Sequence, residues 1–338
     1  MVKLSVLLVY GGESSEHEVS LNSALNVYAA LDNEKYNVTL AYIDRNGKWW
    51  LTETIDGSHT GRPQLFPALG QRQFVAIPGN TIVSVDVVLP ILHGKFGEDG
   101  TVQGLCALMH LPCVGPSVLG AAVTMDKDMT RRLLREREIP VVPWRTWHVK
   151  DKRPKYADMV SELGQVLFVK PSCAGSSVGV SRVTRESSWK AALDKAALHD
   201  DVVLIERAVA AREIELSVLG NHIIRVSGAG EVHPGEEFYN YDDKYSESST
   251  SVISVPADLP DDMVAILQQY AVAAYAATGC KGMARIDFFV DENNQIYLNE
   301  INSIPGFTNI SMYSKLWQVE GMKYPELLDQ LISLAREK

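Results

Sequence analysis

An α/β fold in two or three lobes, opening with a doubly wound parallel sheet, is what the sequence predicts. Three observations carry that expectation. The 338 residues exceed what one small core accommodates. Apolar runs suited to buried strands alternate along the chain with helical segments. The first such run, residues 3–10, stops at Gly11-Gly12; Ser15 and Glu18 then stand in capping-box relation, and Leu21, Leu25 and Tyr28 share one helical face.

Further strands are expected at 36–44, 47–51 and 85–92, the last nearly all apolar, as burial on both faces requires. It runs into His93-Gly-Lys-Phe-Gly-Glu-Asp-Gly100 and a helix at 101–110. Open α/β sheets bind ligands beyond the carboxyl ends of their strands, so the loops after Tyr10 and Leu92 are expected to face one crevice. A helix at 118–138, stopped by Pro140, leads into a middle lobe. Its strands are expected at 144–149, 166–170, 179–183, 202–208 and 213–219, with helices near 156–163 and at 187–198. The last lobe reads as a strand at 222–229, a long polar loop at 233–251, a helix at 260–278, a hairpin and a final helix through Leu334. Lobe boundaries are expected at 1–120, 121–215 and 216–338.

Composition removes several function classes. The hydrophobic content of 46% and charged content of 22% are those of an ordinary globular protein. A formal net charge of -10 argues against broad nucleic-acid binding, which needs a basic face, though a few cleft cations can still hold a nucleotide. No apolar run approaches the ~20 residues that span a bilayer, so no membrane association is expected. Residues 6–9 follow a lone Lys3 without a signal-peptide cleavage site. Cys106, Cys113, Cys173 and Cys280 show no CxxC or zinc spacing, which suits reduced thiols in a cytoplasmic protein.

The hairpin is the most informative segment. Strands at 283–290 and 295–301 flank Asn293-Asn294, residues that accept the positive φ of tight turns. Pairing about that centre sets Asp287 opposite Glu300 and Arg285 opposite Asn302, all four on one face. Two carboxylates and an amide oxygen are hard ligands suited to Mg²⁺, which keeps phosphate oxygens in its other positions. The bland alternative is a surface hairpin with a cross-strand Arg–Glu pair. Met283, Ile286, Phe288, Tyr297, Leu298 and Ile301 make it a largely buried one, where two facing carboxylates need a cation.

The loop Lys170-Pro-Ser-Cys-Ala-Gly-Ser-Ser-Val-Gly179 is not a Walker loop, because its lysine precedes the glycines. Gly175 to Gly179 matches G-x-S-x-G, the nucleophile elbow of hydrolases, with Ser177 as nucleophile. An elbow runs from strand into helix, whereas residues 178–183 alternate like a strand. A mobile lid whose N–H groups and hydroxyls cover phosphates is the better reading. Lys127, Glu206 and Glu213, taken singly, read as solvated charges.

Together these segments form a pattern. GGESSEHEVS (11–20), HGKFGEDGTVQG (93–104), MDKD (125–128), KPSCAGSSVG (170–179), FYNYDDKY (238–245), GMARID (282–287) and LNEINSIPG (298–306) stand in one order. The set resembles the motifs of the D-alanine–D-alanine ligases, members of the ATP-grasp superfamily, over nearly the whole chain. That resemblance implies a three-lobed ATP-grasp architecture with ATP between the second and third lobes. It implies that Lys127, Lys170, Ser176 and Ser177 meet the nucleotide phosphates, with Glu206, Ala208 and Val209 near adenine. Glu213 would meet the ribose, Asn299 would lie beside the nucleotide, and Lys244 would meet the γ-phosphate and substrate. Asp287, Glu300 and Asn302 would hold two Mg²⁺ ions, or Mn²⁺ in their place. Glu16 would take the ammonium of the first D-alanine near His93 and Glu98. Glu16, Ser176 and Tyr245 would close the lids. Arg285 and the Gly306 backbone would stabilise an oxyanion, and Ser311 and Met312 would receive the second D-alanine.

The implied reaction makes D-alanyl-D-alanine through an acyl phosphate, for peptidoglycan precursors, in a cytoplasmic homodimer. Cys173-Ala174, Ala208, Met312 and Lys95 depart from commoner family residues. Relatives that use D-serine or D-lactate as second substrate are the alternative; against the lactate-making relatives Tyr245 argues for the dipeptide, and D-serine stays open.

Overall fold

The computed structural model describes residues 2–233, 252–308 and 311–337. Its first sheet has seven strands in the order β6-β5-β4-β3-β2-β1-β7: β1 (Leu4–Gly11), β2 (Tyr36–Ile43), β3 (Trp49–Thr52), β4 (Gln64–Ala68), β5 (Gln73–Ile77), β6 (Thr81–Ser84) and β7 (Val87–Ile91). Only β1, β2 and β7 run parallel. From β2 outward the neighbours are antiparallel, so the doubly wound character is confined to one end. The reason is connection length: parallel neighbours need a crossover, which helix α1 (His17–Ala30) supplies once, while β2 turns back through residues 44–48.

Helix α1 departs from its expected form. Glu16, not Ser15, stands at the N-cap, and no side chain caps the helix. Its buried face carries Val19, Ser20, Ser23, Ala24 and Val27, while Leu25 and Tyr28 are 47% and 41% exposed. Small residues decide the orientation. The Ser20 hydroxyl accepts from Gly11 N–H and donates to the Ile91 carbonyl, tying the helix to β1 and β7 at a separation that leucines would prevent.

After α2 (Thr101–Leu108), the expected helix at 118–138 is broken into α3 (Val118–Met125) and α4 (Lys127–Glu136). Asp126 lies between them with extended ψ, and its carboxylate accepts from Asp128 and Met129 N–H. The Ser172 hydroxyl donates to the same carboxylate at 2.6 Å. A side chain that bonds backbone N–H groups competes with continued helix, which the apolar periodicity did not disclose.

The middle sheet is antiparallel, in the order β10-β9-β11-β8, from β8 (Trp144–His148), β9 (Leu167–Pro171), β10 (Ser181–Val183) and β11 (Val202–Arg207). Helices α5 (Tyr156–Leu163) and α6 (Glu186–Ala197) flank it in sequence. The last sheet is β14-β13-β12-β15-β16, from β12 (Ala211–Gly220), β13 (Arg225–His233), β14 (Val252–Ser254), β15 (Gly282–Asp291) and β16 (Ile296–Asn302). Strand β12, read from sequence as part of the middle lobe, hydrogen-bonds to β13 and β15, so a boundary at 215 falls inside this sheet.

Helix α7 (Asp261–Ala277) packs on the last sheet, and the final helical stretch is two helices, α8 (Met312–Val319) and α9 (Tyr324–Ala335). Trp317, Leu327, Leu328 and Leu331 share one buried cluster with Tyr10, Leu89 and Ile91 of the first sheet. Lys35 Nζ and Tyr36 Oη reach Asp329 at 2.6 and 2.7 Å, so the first sheet is fixed to the C-terminal helices.

The hairpin keeps the expected pairing at its polar end, Asp287 opposite Glu300 and Arg285 opposite Asn302. It does so by two compensating features. Residues 292–294 form the turn, with Asn294 at φ +60 and Asp291 bonded to Gln295, one residue longer than a two-residue turn. A register shift between Asp287 and Phe288 then restores the alignment, with Phe288 facing Leu298 and Asn299 as the extra residue of a bulge.

Replacing Asp126 by Ala is expected to lower the unfolding free energy by about 1–2 kcal/mol, the usual worth of such a cap. Urea titration of the two proteins measures this, and a difference within a few tenths of a kcal/mol would mean the carboxylate is idle.

Candidate active site

Glu16 begins the site. Its carboxylate is buried, and the Ser176 hydroxyl donates to Oε1, joining the first sheet's loop to the loop between β9 and β10. Two glycines make room for it. A Cβ built on Gly94 or Gly175 would lie 2.8 or 2.9 Å from Glu16 Oε2. His93, beside Gly94, is buried with Nε2 3.4 Å from the Ser23 hydroxyl; burial lowers its pKa against the pull of Glu16. Glu98 accepts from Gly94 N–H at 2.6 Å and from Ile304 N–H at 3.3 Å, bridging the first loop to the chain beyond β16. Burial and then the negative Glu16 push its carboxyl up to about 8, so it holds a proton at neutral pH.

Arg285 donates twice to Asp287, from Nε and Nη2, both at 2.8 Å. Asn302 Nδ2 donates to Asp287 Oδ2 at 2.9 Å. Glu215 of β12 lies opposite Asp287, with Oε2 3.1 Å from Arg285 Nε. Glu300 Oε2 is 3.7 Å from Lys127 Nζ, which also donates to the Ala174 carbonyl at 2.8 Å. Arg285 and Lys127 thus stand as cations beside the facing carboxylates. The donor chemistry still fits magnesium: Asp287 and Glu300 line one recess with Glu213, Glu215 and Asn299, and the Asn302 amide is bonded to Asp287. Among the described residues, no three His, Cys, Asp or Glu side chains group tightly enough to hold an ion by themselves.

The loop after β9 runs into strand β10 rather than a helix, so the geometry of a nucleophile elbow is absent. Ser176 and Ser177 take left-handed φ of +48 and +60, a conformation held against its intrinsic cost by the Glu16 contact and the surrounding turn. At the loop's start Lys170 is buried with Nζ 2.7 Å from Glu206 Oε1. Burial, with Arg131 and Lys127 adding to it, lowers the ammonium to about 8 despite Glu206. Burial would raise Glu206, but Arg131 and Lys170 outweigh it and hold the carboxylate below its ordinary range. Ala208 has its N–H committed to the Val166 carbonyl at 3.0 Å, and the neighbouring Val209 is partly exposed.

At the far end, Ser311 precedes α8 and accepts at Oγ from Thr308 N–H at 2.9 Å; a Cβ on Gly306 would sit 3.0 Å from that oxygen. Met312 stands first in α8. Its side chain is buried with Val232 and Leu316 and abuts Gly230, so at most its main chain faces a ligand. Lys244 and Tyr245, with nearly all of the 233–251 loop, lie outside the described residues.

Residues 5–116 match the family model described as the D-ala D-ala ligase N-terminus, and residues 133–333 match the D-ala D-ala ligase C-terminus. The chain belongs to the D-alanine–D-alanine ligase family. Similar members include the D-alanine–D-alanine ligase of Sodalis glossinidius, 44% identical, covering 99% of this chain and 95% of that one. Ligase A of Escherichia coli K12 is 42% identical, covering 100% and 97%. Among solved structures, the D-alanine-D-alanine ligase of Coxiella burnetii has a TM-score of 0.88 at 37% identity, covering 98% of this chain and 94% of that one. The VanG D-Ala:D-Ser ligase of Enterococcus faecalis has a TM-score of 0.89 at 31% identity, covering 99% and 100%.

Within this ligase-family site, sequence reasoning missed Glu215, Arg131 and the Asp126–Ser172 pair. Glu215 had a signal: Glu213, Glu215 and Ser217 alternate with Ile214, Leu216 and Val218, marking a polar face on an otherwise apolar strand. Arg131 had a weaker one, standing one helical turn after Lys127.

Glu98 has a measurable consequence. Between about 4.5 and 8 the folded protein retains a proton there that the unfolded chain releases. Its stabilising contribution is therefore complete below that window and lost as pH rises through it. Urea midpoints at pH 5, 6.5 and 8 should fall less steeply for Glu98→Gln than for the wild type. Parallel pH slopes would refute the assignment.

Proposed function

We propose that the protein joins two D-alanine molecules into D-alanyl-D-alanine at the expense of ATP, supplying a peptidoglycan precursor in the cytoplasm. The observation that carries this reading is the set of contacts in one crevice that join Ser176 to Glu16, Ile304 to Glu98, Arg285 and Asn302 to Asp287, and Lys127 to Glu300. Family membership supplies the reaction; this arrangement supplies the groups it needs.

A carboxylate is a poor electrophile, so the γ-phosphoryl group first passes to an oxygen of the first D-alanine, giving an acyl phosphate and ADP. Phosphoryl transfer asks little covalent help of protein, and Lys127 and Lys170 would hold and neutralise the phosphates. Magnesium, bound by Asp287, Glu300 and Asn302, would supply further charge neutralisation there; manganese has the same oxygen preference. Glu16 would pair with the ammonium of the first D-alanine, and the neutral, buried His93 fits a position beside it. The amine of the second D-alanine, having lost a proton, attacks the acyl carbon and phosphate leaves. Arg285 and the Gly306 N–H would stabilise the oxyanion formed on the way. Ser311 and the Met312 main chain at the start of α8 would take the second carboxylate, as a helix N-terminus favours an anion. The Ser176 loop, with Lys244 and Tyr245, would exclude water from the acyl phosphate.

The relatives at 41–44% identity are D-alanine–D-alanine ligases, which favours D-alanine as second substrate over the D-serine of the VanG enzyme. None of the helices among the described residues is long and apolar enough to cross a membrane. A homodimer is part of the proposal.

Phosphate release with magnesium ATP and D-alanine, D-serine or D-lactate, with the product weighed by mass spectrometry, decides the substrate. Turnover with D-alanine alone to a dipeptide is expected; ATP consumption with none of the three would sink the reading. Asp287→Asn combined with Glu300→Gln should lower kcat by at least ~10³, beyond the usual loss of one transition-state contact, with unchanged circular dichroism. Ordinary magnesium-dependent turnover in that variant would remove the hairpin from the metal site.

A further inference from the structure

Arg131 is a fully buried cation that the proposed chemistry leaves unused. It projects from α4 one turn after Lys127 and is 1% exposed. Nη2 lies 2.5 Å from Glu206 Oε2 in a buried ion pair. The indole of Trp144 stands 5.8 Å from the guanidinium carbon. Lys170 holds the other oxygen, Oε1, at 2.7 Å, so Glu206 is gripped by a cation on each side. Burying a guanidinium costs desolvation that packing alone does not return. What the arrangement achieves is a carboxylate fixed in place.

We propose that Arg131 is a positioning residue that fixes Glu206 against the nucleotide base and thereby sets the preference for ATP over GTP. The inference rests on the reading that Glu206 faces the base. An ionised carboxylate only accepts hydrogen bonds. Adenine offers an amino donor at its 6-position, whereas guanine offers a carbonyl acceptor there. Arg131, with Lys170 on the other oxygen, keeps Glu206 ionised, so it cannot donate to guanine. A carboxylate free to rotate or to take up a proton would lose that discrimination.

The test is kcat/KM for ATP and for GTP in the wild type, Arg131→Met, Arg131→Lys and Glu206→Gln, with thermal melting to confirm folding. Arg131→Met is expected to raise KM for ATP with little change in kcat, and to lower the ATP:GTP ratio roughly tenfold or more, the worth of one charge-assisted contact. Arg131→Lys, which keeps the charge but not the planar fork, should fall between it and the wild type. Glu206→Gln should lose the preference as well. If Glu206→Gln keeps it, the base-site reading fails. If Glu206→Gln loses it while folded Arg131→Met keeps it, the role of Arg131 fails. Should Arg131→Met not fold, Arg131→Lys decides, and a wild-type ratio there overturns the proposal.

Discussion

Carboxylates crowded where water cannot screen them constrain everything around the crevice. Glu16, Glu98, Glu206, Glu215 and Asp287 are buried or nearly so, and each is compensated differently. Glu16 takes a serine hydroxyl, Glu98 keeps its proton, Glu206 has two cations, and Asp287 has a bidentate arginine plus an amide. These compensations come from all three sheets and the loops between them. The Glu16–Ser176 and Glu98–Ile304 hydrogen bonds and the Lys127–Glu300 pair therefore bind the lobes together as well as furnishing a site. Isolated surface pairs such as Lys190–Asp194 contribute far less, because water already screens them.

The loop between β9 and β10 gains its importance from this network. Lys127 reaches both its Ala174 carbonyl and Glu300, while Ser176 reaches Glu16, so a single loop touches the other two sheets' functional residues. Asp126 and Ser172 secure its base to the break between α3 and α4. Shape follows from charge here: the helix breaks where its N-cap is needed, and the glycines fall where a Cβ would strike Glu16.

Much of this was legible in the sequence, and the exceptions have definite causes. Strand positions and the polar end of the hairpin follow from period-two alternation and from asparagines in the turn. The buried face of α1 was misread because Leu21, Leu25 and Tyr28 are bulky, whereas the sheet selects Ser20, Ser23 and Ala24 for close approach. Helix periodicity could not reveal the break at Asp126, since the partner that stabilises it, Ser172, is 46 residues away. The parallel sheet was overextended because a strand's direction depends on its connection, not its composition. Charges such as Arg131 look solvated in sequence, where burial leaves no mark. That Arg285 turns back upon Asp287 left no mark in the sequence, which showed it only as a neighbour on the same face.

The hairpin also carries an arithmetic of its own. Side chains on a strand alternate between two faces, so every residue added between the turn and the metal-ligand candidates is a change of parity. The third turn residue changes it once, and the bulge at Asn299 changes it back. Glu300 and Asn302 consequently share a face with Arg285 and Asp287 while the two irregularities are present together or absent together. A single-residue insertion or deletion in this hairpin thus turns the ligand candidates to the other face unless a second one offsets it.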